Sequence, residues 1–241
     1  MSEQNHKFKR IMLKISGEAL GGPDGVGIDT DVLNYVCAQV SGLIDSGVEV
    51  AIVMGAGNFF RGAKGSVDGM DRVTGDQIGM VATIMNALAL RDGFRRLGRE
   101  AIVLSAIGAG QVAKIYSPIS GRKILSKGRI VLCAGGTGNP FLTTDTAAVL
   151  RALELKCDVM LKATKVDGVY DRDPVVDPSA VRFEKITYDE VMDRKLRVMD
   201  LTAVTLARDE NLPMVVFNMN DEGAMKEIVS GNFNRGTLIT R

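Results

Sequence analysis

Short runs of β-forming residues alternate with helical patterns along most of this chain, and no other feature restricts its fold as much. The runs are FKRIMLKIS, VEVAIVM, EAIVLSA, RIVLCAG, DVMLKAT and PMVVFN. Each is rich in β-branched and aliphatic side chains and has the length of a single strand. Between them, Val32, Val36, Val40, Leu43 and Ile44 share one helical face, with Gly47 as the stop. Ile78, Val81, Met85 and Leu88 share another in a longer helix that Gly98 ends. A third helix is predicted from Thr144 to Leu153, with Thr143 or Thr144 as its cap. Strands joined through helices make parallel pairs, so the pattern predicts an α/β fold, an αβα sandwich around a mostly parallel open sheet. Past Lys165 the stretch VDGVYDRDPVVDPSA reads as an ordered surface excursion. One domain over residues 1–241 is the economical organisation.

Composition narrows the chemistry. The 241 residues are 46% hydrophobic, enough for a full α/β core, and the net charge is +1. That balance gives no overall electrostatic footprint for nucleic acid or an anionic membrane, so any anion site must be local. The three cysteines, Cys37, Cys133 and Cys157, lack metal or redox spacing and are expected to be buried thiols. No apolar run approaches a membrane span and the polar start carries no targeting pattern, which leads us to expect a cytoplasmic protein. His6 is the only histidine, so chemistry must rest on lysine, arginine, carboxylates and backbone amides. Phosphoryl transfer suits that inventory, because it asks for positioning and charge neutralisation.

In parallel sheets ligands gather beyond the carboxyl ends of the strands, and there the glycines cluster. Lys14-Ile15-Ser16-Gly17 ends the first strand, where a lysine can reach a phosphate oxygen and backbone N–H groups stand close by; a solvated lysine before a turn is the competing reading. Gly55-Ala56-Gly57-Asn58 and Arg61-Gly62 follow the second strand, where glycines let the backbone approach an anion and Arg61 offers a fork. Neither a Walker A loop nor a dinucleotide fingerprint is present, since Ala63 stands where the lysine would be and the third glycine is missing. Gly135-Gly136-Thr137-Gly138-Asn139-Pro140, then Thr143-Thr144-Asp145, opens a helix with a density of donors beyond the needs of a turn. Lys162 ends another strand and can approach a phosphate from the side opposite Lys14, with Tyr170 and Asp173 beyond as candidates for an adenine surface and a ribose acceptor. Asp76 either accepts from vicinal ribose hydroxyls or caps the long helix.

In order along the chain, KISGEALGG, GAGNFFRG, MDRVTGDQIGMVATIMN, GGTGNPFLTTD, KATKVDGVYDRDP, RVMDLTA and VFNM resemble the bacterial uridylate kinases of the amino acid kinase superfamily. The likeness covers nearly the whole chain. It implies an amino acid kinase-like sandwich, ATP with Mg2+, UMP as acceptor and a homohexamer, with a UMP-binding part over about 1–150 and an ATP-binding part over about 151–241. It also implies that Lys14 and Lys162 neutralise the migrating phosphoryl group and that Asp145 organises them, with Arg61 assisting. Ser16, Gly17 and Gly57 match ATP phosphate contacts, with Arg61 beside them; Thr164, Tyr170 and Asp173 match the adenosine end. Ala56, Arg61, Asp76 and the run Thr137, Gly138, Asn139, Pro140, Phe141, Leu142, Thr143 and Thr144 match a UMP pocket. No dedicated protein metal site is implied, the magnesium being held mainly by nucleotide phosphates.

Ala56 departs from the family's glycine, and an alanine there disfavours positive φ. The segment Gly22, Pro23, Asp24, Gly25, Val26 and Gly27 resembles the region linked to activation by GTP, although a plain strand-to-helix turn reads as well. Arg91, Arg95 and Arg129 are candidates for an effector site between subunits, and UTP inhibition is implied by the resemblance. A sister kinase acting on an amino acid carboxylate or carbamate, and a nucleotide sensor without turnover, are the rival readings. Asp76 with TGNPFLTT speaks against the first, and Lys14, Lys162 and Asp145 together speak against the second.

Overall fold

The computed structural model describes residues 6–60 and 69–241. Among the described residues nine strands form one sheet: β1 (Arg10–Ile15), β2 (Glu49–Met54), β3 (Ala101–Ser105), β4 (Lys114–Ile115), β5 (Ile130–Ala134), β6 (Val159–Thr164), β7 (Lys185–Thr187), β8 (Met214–Asn218) and β9 (Gly236–Thr240). Their order across the sheet is β4-β3-β5-β2-β1-β6-β8-β9-β7, and every pair is parallel except β8 with β9. The eight helices among the described residues are α1 (Gly17–Leu20), α2 (Thr30–Asp45), α3 (Arg72–Arg96), α4 (Pro118–Leu125), α5 (Thr144–Leu155), α6 (Tyr188–Asp193), α7 (Leu201–Asp209) and α8 (Ala224–Ser230). None of them is long and apolar enough to cross a membrane.

Alternation along the strands builds two cores. Ile11, Leu13 and Ile15 of β1 pack with α2, α3 and α8 on one face. Met12 of β1 and Met160 of β6 pack with α4, α5, α6 and α7 on the other. The open αβα sandwich is therefore present as the alternation predicted. Helix stops fall at glycines in the left-handed region, Gly47 at φ 90° after α2 and Gly98 at φ 70° after α3.

One helix face differs from the prediction. In α3, Ile78, Val81 and Met85 are exposed, and Leu88 is partly buried. The face against the sheet is instead Met80, Thr83, Ile84, Ala87, Leu90 and Phe94. Apolar residues surround this helix, so periodicity alone could not select the buried side. Cys37 and Cys133 are closed off and Cys157 is half-buried, and burial pushes all three thiols up, Cys37 and Cys133 to about 12.

The sheet extends in two directions from the β1–β6 pair. The β1 side holds β2 to β5, with β5 inserted between β2 and β3, and the β6 side holds β7 to β9, with β8 and β9 filling the space between β6 and the edge strand β7. The direction reverses between β1 and β6, and a crevice for ligands opens at the carboxyl ends of such strands.

Candidate active site

Lys14 and Lys162 face one another across that reversal. The β1–β6 register pairs them directly, and both share strand parity with the Met12 and Met160 side chains, so both point to the α5 face. They stand side by side on one face rather than approaching from opposite sides as the sequence suggested. Asp145 meets them from the first turn of α5: its Oδ1 lies 2.8 Å from Lys14 Nζ and its Oδ2 accepts from Lys162 Nζ at 2.6 Å. Lys14 is 7% and Lys162 9% exposed, which excludes the solvated strand-end reading for Lys14.

A carboxylate this dehydrated would ordinarily have its acidity weakened. Burial does push Asp145 upward, but the charges of Lys14 and then Lys162, with their hydrogen bonds, outweigh it and hold the carboxyl below its ordinary value. Burial depresses the Lys162 ammonium; Asp145 resists that shift and Lys14 adds to it. Two ammonium groups share one carboxylate, leaving an excess of positive charge in a poorly hydrated place, and a phosphate oxygen is the natural complement.

Helix capping fixes Asp145. Thr143 is the cap of α5, its Oγ1 accepting from Asp145 N at 3.0 Å and Thr146 N at 3.4 Å. The Thr143 hydroxyl donates to Asp200, which accepts from Thr146 Oγ1 at 2.8 Å and caps α7 through Ala203 N at 3.0 Å. Asp200 thus ties two helix starts together beside Lys162. It lies within the RVMDLTA motif, and its single carboxylate before a helix gave no sign of the threonines it would meet.

The two glycine loops after β1 and β2 lie against each other. A Cβ on Gly17 would come 2.5 Å from Gly57 N and 2.7 Å from Asn58 Oδ1, so only glycine permits this approach. Ser16 caps the short α1, accepting from Ala19 N at 3.2 Å. Ala56 is not among the left-handed non-glycine residues, Phe141, Lys156, Lys195 and Asn211, so the expected conflict with positive φ does not arise. Arg61 lies outside the described residues.

On the β2 side a cavity of about 180 Å³ opens. Of the residues assigned to a UMP pocket, Ala56, Asp76, Thr137, Asn139, Leu142, Thr143 and Thr144 line it, whereas Gly138, Pro140 and Phe141 do not. Phe141 is 64% exposed with φ 69°, and Arg72 lies 5.6 Å over its ring. Its N–H donates to Asp76 Oδ2 at 2.7 Å, and Arg72 Nε donates to the same oxygen at 2.9 Å. Capping of α3 falls to Asp71, which accepts from Thr74 N at 3.1 Å, so Asp76 is not the cap. Sequence reading missed the α3 wall of this cavity, including Arg72, Gly79, Met80 and Thr83. It also missed Arg151, 6% exposed, which stacks 4.0 Å over Tyr116 and donates to the Gly136 and Thr137 carbonyls at 3.3 Å each.

On the β6 side a larger cavity of about 450 Å³ is lined by Thr164, Tyr170 and Asp173, as assigned to the adenosine end, and by the unforeseen loop Arg194 to Val198. Tyr170 donates to Asp167 Oδ1 at 2.6 Å, and Asp173 Oδ1 accepts from Val175 N at 2.9 Å. The effector candidates separate into two places. Gly22 and Pro23 border a cavity with Thr164, Lys165 and Asn220. Arg91 and Arg95 line another with Arg99 and Glu100, and Arg129 reaches it through its 2.9 Å pair with Glu100. The turn from Gly22 to Gly27 includes Gly22, Gly25 and Gly27 in the left-handed region. Among the described residues no group of three or more His, Cys, Asp or Glu side chains is arranged to hold a metal ion.

An open parallel sheet with paired lysines and an organising carboxylate at its reversal defines the class, a kinase of the α/β type. The amino acid kinase family model matches residues 9–218. A protein of Stutzerimonas stutzeri strain A1501 named uridylate kinase is 54% identical over 239 residues, covering 99% of this chain and 96% of its own length. A uridylate kinase of Pseudomonas aeruginosa strain PAO1 is 53% identical over 239 residues, covering 99% and 97%. Among solved structures, UMP kinase from Bacillus anthracis superposes with a TM-score of 0.92 at 38% identity, covering 97% of this chain and 96% of that one. UMP kinase from Ureaplasma parvum superposes at 0.90 with 35% identity, covering 97% and 99%. The chain belongs to the amino acid kinase family, and within it to the uridylate kinases.

Proposed function

We propose that this kinase transfers the γ-phosphoryl group of ATP to UMP, giving ADP and UDP. The observation that carries the reading is the convergence of Lys14 and Lys162 on Asp145 where the sheet reverses, between a small cavity on one side and a large one on the other. A UMP phosphate oxygen attacks the γ-phosphorus, and the bond to the β,γ-bridging oxygen breaks as ADP leaves. The two ammonium groups neutralise charge on the phosphoryl oxygens, and the acceptor, already an anion, needs no general base. UMP occupies the cavity bounded by Asp76 and Thr144, and adenosine the one bounded by Tyr170 and Asp173. In this division residues 1–150 serve the acceptor and 151–241 the donor.

Magnesium fits as a partner of the nucleotide, because the nearest carboxylate, Asp145, is already held by two lysines. Bound to the phosphates, it supplies further charge neutralisation. The exposed stripe of Ile78, Val81 and Met85 supports self-association, in keeping with a homohexamer. We also infer control by GTP and UTP through the arginine-lined site and a cytoplasmic location. An ADP-release assay with ATP and Mg2+ tests the reaction, offering UMP, CMP, dUMP, acetylglutamate and aspartate separately. Turnover on UMP is expected; turnover on aspartate or acetylglutamate with silence on UMP would overturn the acceptor.

A further inference from the structure

Two carboxamides are sealed between the Gly55–Phe60 loop and α3, and the reaction described above uses neither. Asn58 is 2% and Asn86 0% exposed. They pair reciprocally: Asn58 Nδ2 donates to Asn86 Oδ1 at 2.9 Å, and Asn86 Nδ2 donates to Asn58 Oδ1 at 2.8 Å. The second N–H of Asn86 goes to the Gly55 carbonyl at 2.8 Å, and that of Asn58 to the Gly27 carbonyl at 2.6 Å. Gly27 N–H returns a bond to the Asn58 carbonyl at 2.9 Å. Every amide hydrogen of the pair therefore has an acceptor.

Two leucine-sized side chains would fill this space without any need to satisfy buried donors. Apolar contact, however, has no direction, whereas a closed amide pair fixes distance and angle together. What it fixes is informative. Gly55 opens the loop that carries Gly57, and the loop lies so close to Gly17 that Asn58 Oδ1 would meet a Gly17 Cβ at 2.7 Å. Moving Asn58 would shift the two glycine backbones relative to each other, just beyond the strand that ends in Lys14 and Ile15. The same pair holds Gly27, the last residue of the left-handed turn that starts at Gly22.

We propose that the Asn58–Asn86 amide pair is a positioning device that sets the Gly55–Gly57 backbone against Gly17 for phosphoryl transfer and couples the 22–27 turn to that setting. The proposal rests on the kinase reading. Both are positioning residues, since their buried amides are taken up by one another and by loop carbonyls. Displacing reacting groups by about an ångström lowers rate by roughly a hundredfold while binding changes little.

The test compares wild type with Asn86→Leu, which keeps volume but loses both donors, and with the near-isosteric Asn86→Asp. We expect kcat per folded enzyme to fall about 30- to 100-fold in each, with KM for ATP and UMP within about threefold. Asn58→Ala combined with Asn86→Ala should cost little more than either alone. Amide hydrogen exchange supplies a second arm that needs no turnover: peptides covering 54–60 and 22–28 should lose protection in the Asn86 variants, while peptides of β8 keep theirs. Unchanged kcat per folded enzyme, or unchanged exchange at both segments, overturns the proposal. A wild type silent on UMP sinks the kinase reading instead, and the exchange arm then decides the positioning role alone.

Discussion

The two cavities flanking Asp145 are built in different ways. The acceptor-side cavity is small and its loops are fastened to one long helix at three heights: Asp76 holds Phe141 N–H, Thr83 Oγ1 accepts from Gly135 N at 2.8 Å, and Asn86 holds Gly55 O. The donor-side cavity is more than twice as large and is bordered by a surface excursion anchored at its base, where Val169 N donates to Thr237 Oγ1 at 2.8 Å, while the bonds of its outer part are local, such as Asp173 to Val175 and Arg172 to Asp171 and Asp177. The three acceptor-side bonds are long-range and two of them, at Thr83 and Asn86, are buried; such bonds preorganise a pocket, while local exposed ones leave it able to adjust. Discrimination should therefore reside on the acceptor side, and substitutions there should matter more than equivalent ones on the donor side.

The largest effect belongs to the junction between the two. Lys162→Ala should lower kcat by about 10²–10³-fold, because it removes a charge that acts on the transferring group, while KM for UMP moves less than about threefold. Steady-state kinetics with both nucleotides varied checks this. A variant in which KM rises and kcat holds would move Lys162 from the junction into one pocket.

The next effect is a pH dependence. Lys162 titrates below the ordinary lysine value of 10.5 because burial disfavours its charge. The protonated form is the active one, so activity is present at lower pH and is lost as pH rises through the depressed value. We expect kcat/KM to fall about tenfold per pH unit beyond an alkaline limb lying below 10.5. Lys162→Arg, whose charge persists, should be slower but should lack that limb. A wild-type profile flat up to pH 10.5 would deny the depression.

Much of this contrast was legible in the sequence. Strand-end lysines, glycine loops and a capped helix start are local signals, and the sheet brought Lys14, Lys162 and Asp145 together because all three sit at carboxyl ends of strands or at the helix start that faces them. The three short or late strands, β4, β7 and β9, were not read. Two or three residues carry no periodicity, and GTLIT alternates too weakly to declare an antiparallel strand. The wall of the acceptor cavity was missed for a different reason. Helix α3 has apolar residues on all sides, and the stripe of Ile78, Val81 and Met85 is as regular as the buried one. Only the polar residues inside the true face, Thr83 and Asn86, distinguish it, and a buried amide in sequence looks the same as an exposed one.

Equivalent carboxylates sharpen the comparison further. Asp76→Asn removes the charge that holds Arg72 and receives Phe141 N–H, so KM for UMP should rise about tenfold with kcat changed little. Asp173→Asn on the donor side retains an oxygen for Val175 N–H, and KM for ATP should rise only about two- to threefold. Parallel saturation curves for the two variants check both. Equal shifts would erase the distinction between a preorganised and an adjustable side, and an unchanged KM in Asp76→Asn would remove the ribose role.

The smallest expected effect is at Arg172. Its guanidinium binds Asp171 at 3.0 Å and Asp177 at 3.0 Å; those bonds raise its already high pKa and lower the Asp171 carboxyl, while Asp177 is lowered first by the hydroxyl and N–H of Ser179 and then by Arg172. All three groups stand in solvent, where screening and the entropy of long side chains cancel most of the attraction. The pairs nonetheless bracket the excursion that lines the donor cavity, so if they set its shape, Arg172→Ala should be felt in ATP binding. On the view that this side adjusts to its ligand, the variant should keep its Tm within about a degree and its KM for ATP within about twofold, at low and high salt alike. A tenfold rise in KM for ATP that high salt reproduces in wild type would show that surface charge organises the donor side, and the contrast between the two cavities would then be one of charge against packing.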